Sequence, residues 1–179
     1  MVYLPGVHRK GSAARAKAQM TSHNKTFEPH VIAVSAGDTV DFPNLDKIHH
    51  NVFSLSEANK FDLGLYKNGA SRSQVFAKAC VCRVYCNIHA QMSGIVVVAD
   101  GDAYAVTGPD GSYKIDGLPP GKHTVIAWHE KGGEQQAEVE IAEGKALTKD
   151  FTLDASGFKE APHTNKYGKP YGKDDDARY

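Results

Sequence analysis

An excess of charge of either sign is the first thing this chain lacks. Its 21 Lys and Arg are matched by 21 Asp and Glu, for a formal net charge of +0 at pH 7. Nucleic acids and anionic membrane surfaces select for a surplus of positive charge, so neither is indicated as a partner. No apolar run approaches the roughly 20 residues that cross a bilayer as a helix. The start, Met1-Val2-Tyr3-Leu4-Pro5-Gly6, has neither the charged beginning nor the long apolar centre of a secretory leader. Read literally this places the chain in the cytoplasm, yet it opens at once on a strand-like apolar run, as if cut from a longer precursor. Cysteine is scarce too: three residues do not build a disulfide framework. What is present is ordinary for a globular protein, 41 % hydrophobic and 23 % charged. The 179 residues suffice for one large or two small domains with a real core.

The cysteines that do occur lie close together, at 80, 82 and 86. Cys86 ends the strand-like run Val81-Cys82-Arg83-Val84-Tyr85 and is followed by Asn87-Ile88-His89-Ala90-Gln91-Met92. A thiol, an imidazole and a thioether therefore share a loop too short to be a helix. Soft sulfur donors with imidazoles suit copper, and a Cys with two His and a weak, distant Met is the donor set of electron-transfer copper. The loop lacks a second imidazole. Its natural source is His49-His50-Asn51-Val52-Phe53-Ser54, upstream and also beside a strand, where neighbouring side chains face opposite sides so that one of the two histidines serves. Other readings fit less well. A tetrahedral zinc site rarely recruits a thioether, and a nucleophilic Cys–His pair suits this tight loop less than shared metal ligation. A buried Cys or Met as core filler is the blandest alternative.

These two motifs, in this order, resemble the cupredoxins, the family of plastocyanin, amicyanin and pseudoazurin. The resemblance implies that His50, Cys86, His89 and Met92 hold one mononuclear copper, with His50 preferred to His49 because Asn51 follows it. The spacing C-x2-H-x2-M is similar to the short loop of amicyanin, and Asn51 matches the residue that ties the two ligand segments together by hydrogen bonds. The pattern F-x-P…V-x-x-G-D-T-V-x-F-x-N, from Phe27 to Asn44, is also cupredoxin-like, so the resemblance runs from about Met20 to Asp100. It implies an all-β, Greek-key sandwich or barrel and one-electron transfer, not catalysis, in the periplasm or another extracytoplasmic compartment. It further implies a protein electron donor or acceptor docking near His89, whose ring edge is expected at the surface among Ile88, Ala90 and Gln91, with His50 deeper. Copper carriage or storage would use the same ligands. A copper oxidoreductase such as a nitrite reductase would need a second copper set.

After Asp100 short alternating segments and turns recur, over residues 104–107, 112–115, 123–128, 136–141 and 146–153. Strands at this spacing predict a small second β-sandwich. The pattern T-x-P-D-G-S-Y-x-I-x-x-L-P-P-G-x-H-x-V resembles the regulatory-like domain found beside carboxypeptidases, a non-catalytic module. The order of modules is similar to that of periplasmic proteins labelled methylamine utilisation proteins. The expected layout is an N-terminal strand and polar linker over 1–19, a copper domain over 20–100, the second sandwich over 101–154 and a flexible tail over 155–179. Residues 1–4 are expected to pair with strands after residue 103. Cys80 and Cys82, two apart on one strand, are poorly placed to bridge and are read as a turn residue and a core thiol respectively, with a disulfide or an accessory metal contact as the alternative. The basic residues between 7 and 25 read as a solvated loop, His129 and Glu130 as a surface pair, and Lys173-Asp174-Asp175-Asp176 as a solvated charge run in a loosely draped tail.

Overall fold

The computed structural model describes residues 1–10, 17–159 and 162–172. Arg15 of the basic stretch and the charge run from Lys173 lie outside the described residues. Strand dominates, at 45 % against 2 % helix, as period-two alternation requires. The strands are β1 (Val2–Tyr3), β2 (Ala18–Gln19), β3 (Thr21–His23), β4 (Thr26–Glu28), β5 (Val31–Ser35), β6 (Asp38–Pro43) and β7 (His50–Ser54). They continue with β8 (Phe61–Tyr66), β9 (Ser71–Phe76), β10 (Cys80–Tyr85), β11 (Ser93–Ala99), β12 (Tyr104–Ala105), β13 (Gly121–His129) and β14 (Gly133–Ile141). The chain divides into two compact units, one of Met1–Ala14 with Ala99–Ala161 and one of Arg15–Val98 with Pro162–Tyr179.

In the unit that holds Cys86, a five-stranded sheet runs in the order β5-β11-β10-β7-β8, beside a three-stranded sheet β2-β6-β9 and the β3–β4 pair. Alternation explains which side chains go inside. Along β6 the pattern places Val40 and Phe42 in the core, and along β10 it places Cys82 and Val84 there. Phe42, Phe76, Val52, Val84 and Met92 belong to one continuous core cluster. Each fully buried side chain of this size contributes about 1.5–3 kcal/mol. Pro29 lies between β4 and β5, where proline has no N–H for a ladder bond. β7 is buried at every position and lies between β10 and β8 in its sheet.

Cys80 and Cys82 do form a disulfide, with Cα atoms 5.4 Å apart, against the expectation above. Alternate residues of a strand project from the same face, and the pleat at the start of β10 brings them within the ordinary span of a bridge. The Asn59 side-chain amide reaches both sulfurs, at 3.3 and 3.4 Å.

The other unit is built on one four-stranded sheet, β12-β1-β13-β14. Val2 lies opposite Ala105 on one side and Ala127 on the other, so the first residues of the chain are a central strand beside strands from beyond residue 103. Segments 112–115 and 146–153 alternate like strands, yet they carry no ladder. Tyr113, Ile115, Phe151 and Leu153 instead pack against the cluster of Val2, Leu4, Val125 and Ala127. Alternation specifies a buried face, not a hydrogen-bonding partner. Gly101, between β11 and β12, has φ +113° and bridges Val7, and a Cβ there would lie 2.5 Å from the Val7 carbonyl oxygen. Gly101→Ala should therefore destabilise this unit by more than about 1 kcal/mol. The shift can be read from denaturant unfolding followed by the fluorescence of Trp128, the single tryptophan. An unchanged midpoint would contradict the close approach.

Candidate metal centre

His50 opens β7, and Cys86 and His89 lie on the loop that joins β10 to β11. The antiparallel pairing of Tyr85 with Phe53 brings the end of β10 alongside β7. The β7–β8 pairing shifts register between Asn51 and Phe53, just after His50, the kind of irregularity that re-aims side chains. The result is convergent. The Nδ1 atoms of His50 and His89 lie 3.9 and 3.5 Å from the Cys86 sulfur, and the ring centroids are 4.8 Å apart. The three donor atoms lie within 4.8 Å of one another. His50, Cys86, His89 and Met92 are all 0 % exposed.

The fourth sequence candidate, Met92, closes the same loop: its N–H donates to the His89 carbonyl at 3.0 Å and its carbonyl accepts from the Cys86 N–H at 3.2 Å. His49 is exposed. The burial of His89 corrects the expectation of a ring edge at the surface. Ile88 is buried as well, and the exposed residues of the loop are Ala90 and Gln91.

The donors are held from behind. His50 Nε2 donates to Asp46 at 2.8 Å. A carboxylate only accepts, so this bond fixes the tautomer and leaves the Nδ1 lone pair facing Cys86. Burial pushes the His50 pKa down, opposed by the hydrogen bond and charge of Asp46, and a neutral ring is the ligating form. For Asp46 burial acts to raise the pKa, but the N–H groups of Lys25 and Asn24 and the His50 bond outweigh it and hold the carboxyl below its usual range. Asn44 organises the approach: its side chain donates to the Ile48 and Tyr66 carbonyls and accepts the Asp46 N–H. No sequence signal marks Asp46. It stands four residues before His50 in irregular chain, where spacing alone says nothing about facing.

Asn51 departs from its expected part. Its amide donates to Asp62 on β8 at 2.6 Å. The other Asp62 oxygen accepts the Lys166 ammonium at 2.7 Å, and the Lys166 N–H donates to the Asn87 side chain at 3.0 Å. Residues 162–172 thus lie against the ligand loop, which corrects the expectation of a loosely draped tail for that segment. His163 Nε2 donates to the Ala90 carbonyl at 2.7 Å, and the Tyr171 hydroxyl donates to the Cys86 carbonyl at 2.8 Å. No sequence pattern signals these contacts.

The donor set fits copper. A first-row ion about 2.0–2.3 Å from nitrogen and sulfur ligands requires those ligands to stand roughly 3.5–4 Å apart, and the two sulfur–nitrogen distances meet that. A thiol and two imidazoles in a dry apolar shell are the donors of blue copper. Residues 14–99 match the family model of copper binding proteins, plastocyanin/azurin family. This part of the chain is similar to that family. Its cofactor is one copper ion. Residues 84–154 match the carboxypeptidase regulatory-like domain.

Solved structures similar to the chain include a novel purple cupredoxin from Nitrosopumilus maritimus, 24 % identical over 46 % of this chain and 100 % of that one, with a TM-score of 0.41. A reduced mutant form of amicyanin is 22 % identical over 54 % of this chain and 97 % of its own, with a TM-score of 0.44. A copper-containing nitrite reductase from Thermus scotoductus is 20 % identical over 52 % of this chain, with a TM-score of 0.46, and the match spans 25 % of that enzyme. No curated protein matches.

Asp62 gives the copper domain an acid limit. Burial acts to raise its pKa, but the bonds from Lys166, the Gly64 N–H and Asn51 bring it below the usual value. A depressed carboxyl stabilises the fold fully above its unfolded pKa of about 3.9, and that stabilisation is lost as pH falls through the lower folded value. The difference in unfolding midpoint between the wild type and Asp62→Asn should therefore be constant near neutrality and close below about pH 4. A difference that persists unchanged at strongly acid pH would contradict this.

Proposed function

We propose that the protein is a one-electron carrier whose copper is held by His50, Cys86 and His89, with Met92 as a weak fourth donor. The observation that carries this reading is the convergence of two imidazole nitrogens on one buried thiol sulfur. Copper supplies reversible exchange of one electron between its cuprous and cupric states. The chain supplies everything else. Cys86 would hold the ion as a thiolate, its proton released to solvent, and Asp46 orients His50. The strands β7 and β10 keep the donors in place while the charge of the site changes, and the apolar shell excludes water, so little reorganises on transfer.

A carrier is favoured over an enzyme. Among the described residues, His50, Cys86 and His89 are the one group of three or more His, Cys, Asp or Glu side chains spaced to hold a metal, whereas a copper reductase needs a second. Ligands with no exposed atom also suit retention of the metal better than its delivery to another protein. A protein redox partner is proposed to dock over Ala90 and Gln91, the exposed and uncharged residues beside His89, where steering by charge is weak. An extracytoplasmic location belongs to the same reading. It is supported by the Cys80–Cys82 disulfide, which oxidising compartments favour. No helix is long and apolar enough to cross a membrane.

With one equivalent of cupric ion the protein should show an intense thiolate-to-copper band in the visible. Cys86→Ser should abolish it, while Met92→Leu should keep the colour and shift the reduction potential. A band that survives in Cys86→Ser would refute the assignment.

A further inference from the structure

Within the ligand loop the Cys86 N–H donates to the Met92 carbonyl and the Met92 N–H to the His89 carbonyl. Three further groups of the loop are engaged by one distant stretch of chain. The Cys86 carbonyl accepts from Tyr171, the Asn87 side chain from the Lys166 N–H, and the Ala90 carbonyl from His163. These points flank both Cys86 and His89. The stretch is preorganised by its own turn, in which the Asn165 side chain accepts the Tyr167 and Lys169 N–H groups and the Gly168 N–H donates to the Asn165 carbonyl. It is also seated by its rings. His163 stacks on Tyr85 at 4.0 Å and 20°, and Tyr171 meets His163 edge-on at 5.2 Å.

Lys166 does more than fasten the loop. Its backbone N–H holds Asn87, next to Cys86, and its ammonium holds Asp62, whose other oxygen holds Asn51, next to His50. A side-chain hydrogen-bonded link between the two ligand segments therefore runs through a residue far downstream of both. The pair is partly sheltered, with the Lys166 side chain 22 % exposed. A residue that fixes ligand segments from outside the ligand set acts on metal affinity in the way that outer hydrogen-bond partners do.

We propose that the stretch 162–172 is a strap belonging to the copper centre, in which Lys166, Tyr171 and His163 are positioning residues that set the spacing of the His50 and Cys86 segments. The inference rests on the reading that these segments hold copper. In the strapped protein the donors are already spaced for the metal before it arrives, and copper leaves only when the loop loosens.

The test uses the full chain in copper-free and copper-loaded forms, with Lys166→Met, Lys166→Arg and Tyr171→Phe. In the copper-free protein, amide exchange over residues 86–92 should quicken in Lys166→Met and Tyr171→Phe and return toward wild type in Lys166→Arg. In the loaded protein, copper release to a chelator should quicken by roughly tenfold or more in Lys166→Met, with a shift of the thiolate band in both loosened variants. Unchanged loop exchange and release within twofold of wild type in Lys166→Met and Tyr171→Phe alike would overturn the strap. Should Lys166→Met unfold, Tyr171→Phe decides alone, since it keeps the ring and removes one hydroxyl. A wild type that takes up no copper would refute the underlying reading instead, and exchange in the copper-free protein would still judge the strap.

Discussion

The whole copper domain depends on holding two imidazole nitrogens and one thiol sulfur a few ångströms apart in a place without water. Three metal donors have no reason to gather in an apolar core on their own account, since each is a polar group removed from solvent. They are kept there by strands that would form without them. β7 is buried along its length between β10 and β8, and the core cluster continues through Phe42, Phe76 and Met92 to Cys86 itself. The site is an end of that core, with candidate donors in place of leucines, and a bound copper ion would offset the cost of burying them.

The behaviour of the site follows from how each donor is backed. His50 is fixed by Asp46, which is in turn held by the Asn24 and Lys25 N–H groups. Cys86 and Met92 are tied across the loop by a backbone hydrogen bond. The loop is closed from outside by a segment far downstream, through Lys166, His163 and Tyr171. Each of these layers removes a freedom the donors would otherwise have, which is what the proposed one-electron transfer would require. The unit built on β13 and β14 offers no comparable gathering of donors among the described residues. Its sheet takes in the first residues of the chain as a central strand.

Much of this was legible in the sequence, for a physical reason. Metal chemistry restricts residue type so strongly that Cys86, His89, Met92 and a His beside Asn51 stand out. Period-two alternation likewise placed Val40, Phe42 and Val84 in the core. What could not be read was whatever depends on distant chain. His89 sits at the tip of a short loop and would be expected at the surface, but the burial of a loop depends on what packs over it, and residues 162–172 have no periodicity to announce themselves. Asn51 was expected to tie the ligand segments directly, whereas the link passes through Asp62 and Lys166, a connection that no spacing encodes. The Cys80–Cys82 bridge was discounted on strand geometry, although residues two apart share a face and needed only a modest tightening of the pleat.

The most direct test of the copper centre is X-ray absorption at the copper edge of the loaded protein, which counts the ligand atoms around the metal. One short copper–sulfur bond and two imidazole nitrogens are expected, with the sulfur lost in Cys86→Ser and one imidazole lost in His50→Ala. A copper surrounded by oxygen and nitrogen alone, or a short copper–sulfur bond that persists in Cys86→Ser, would contradict the centre described.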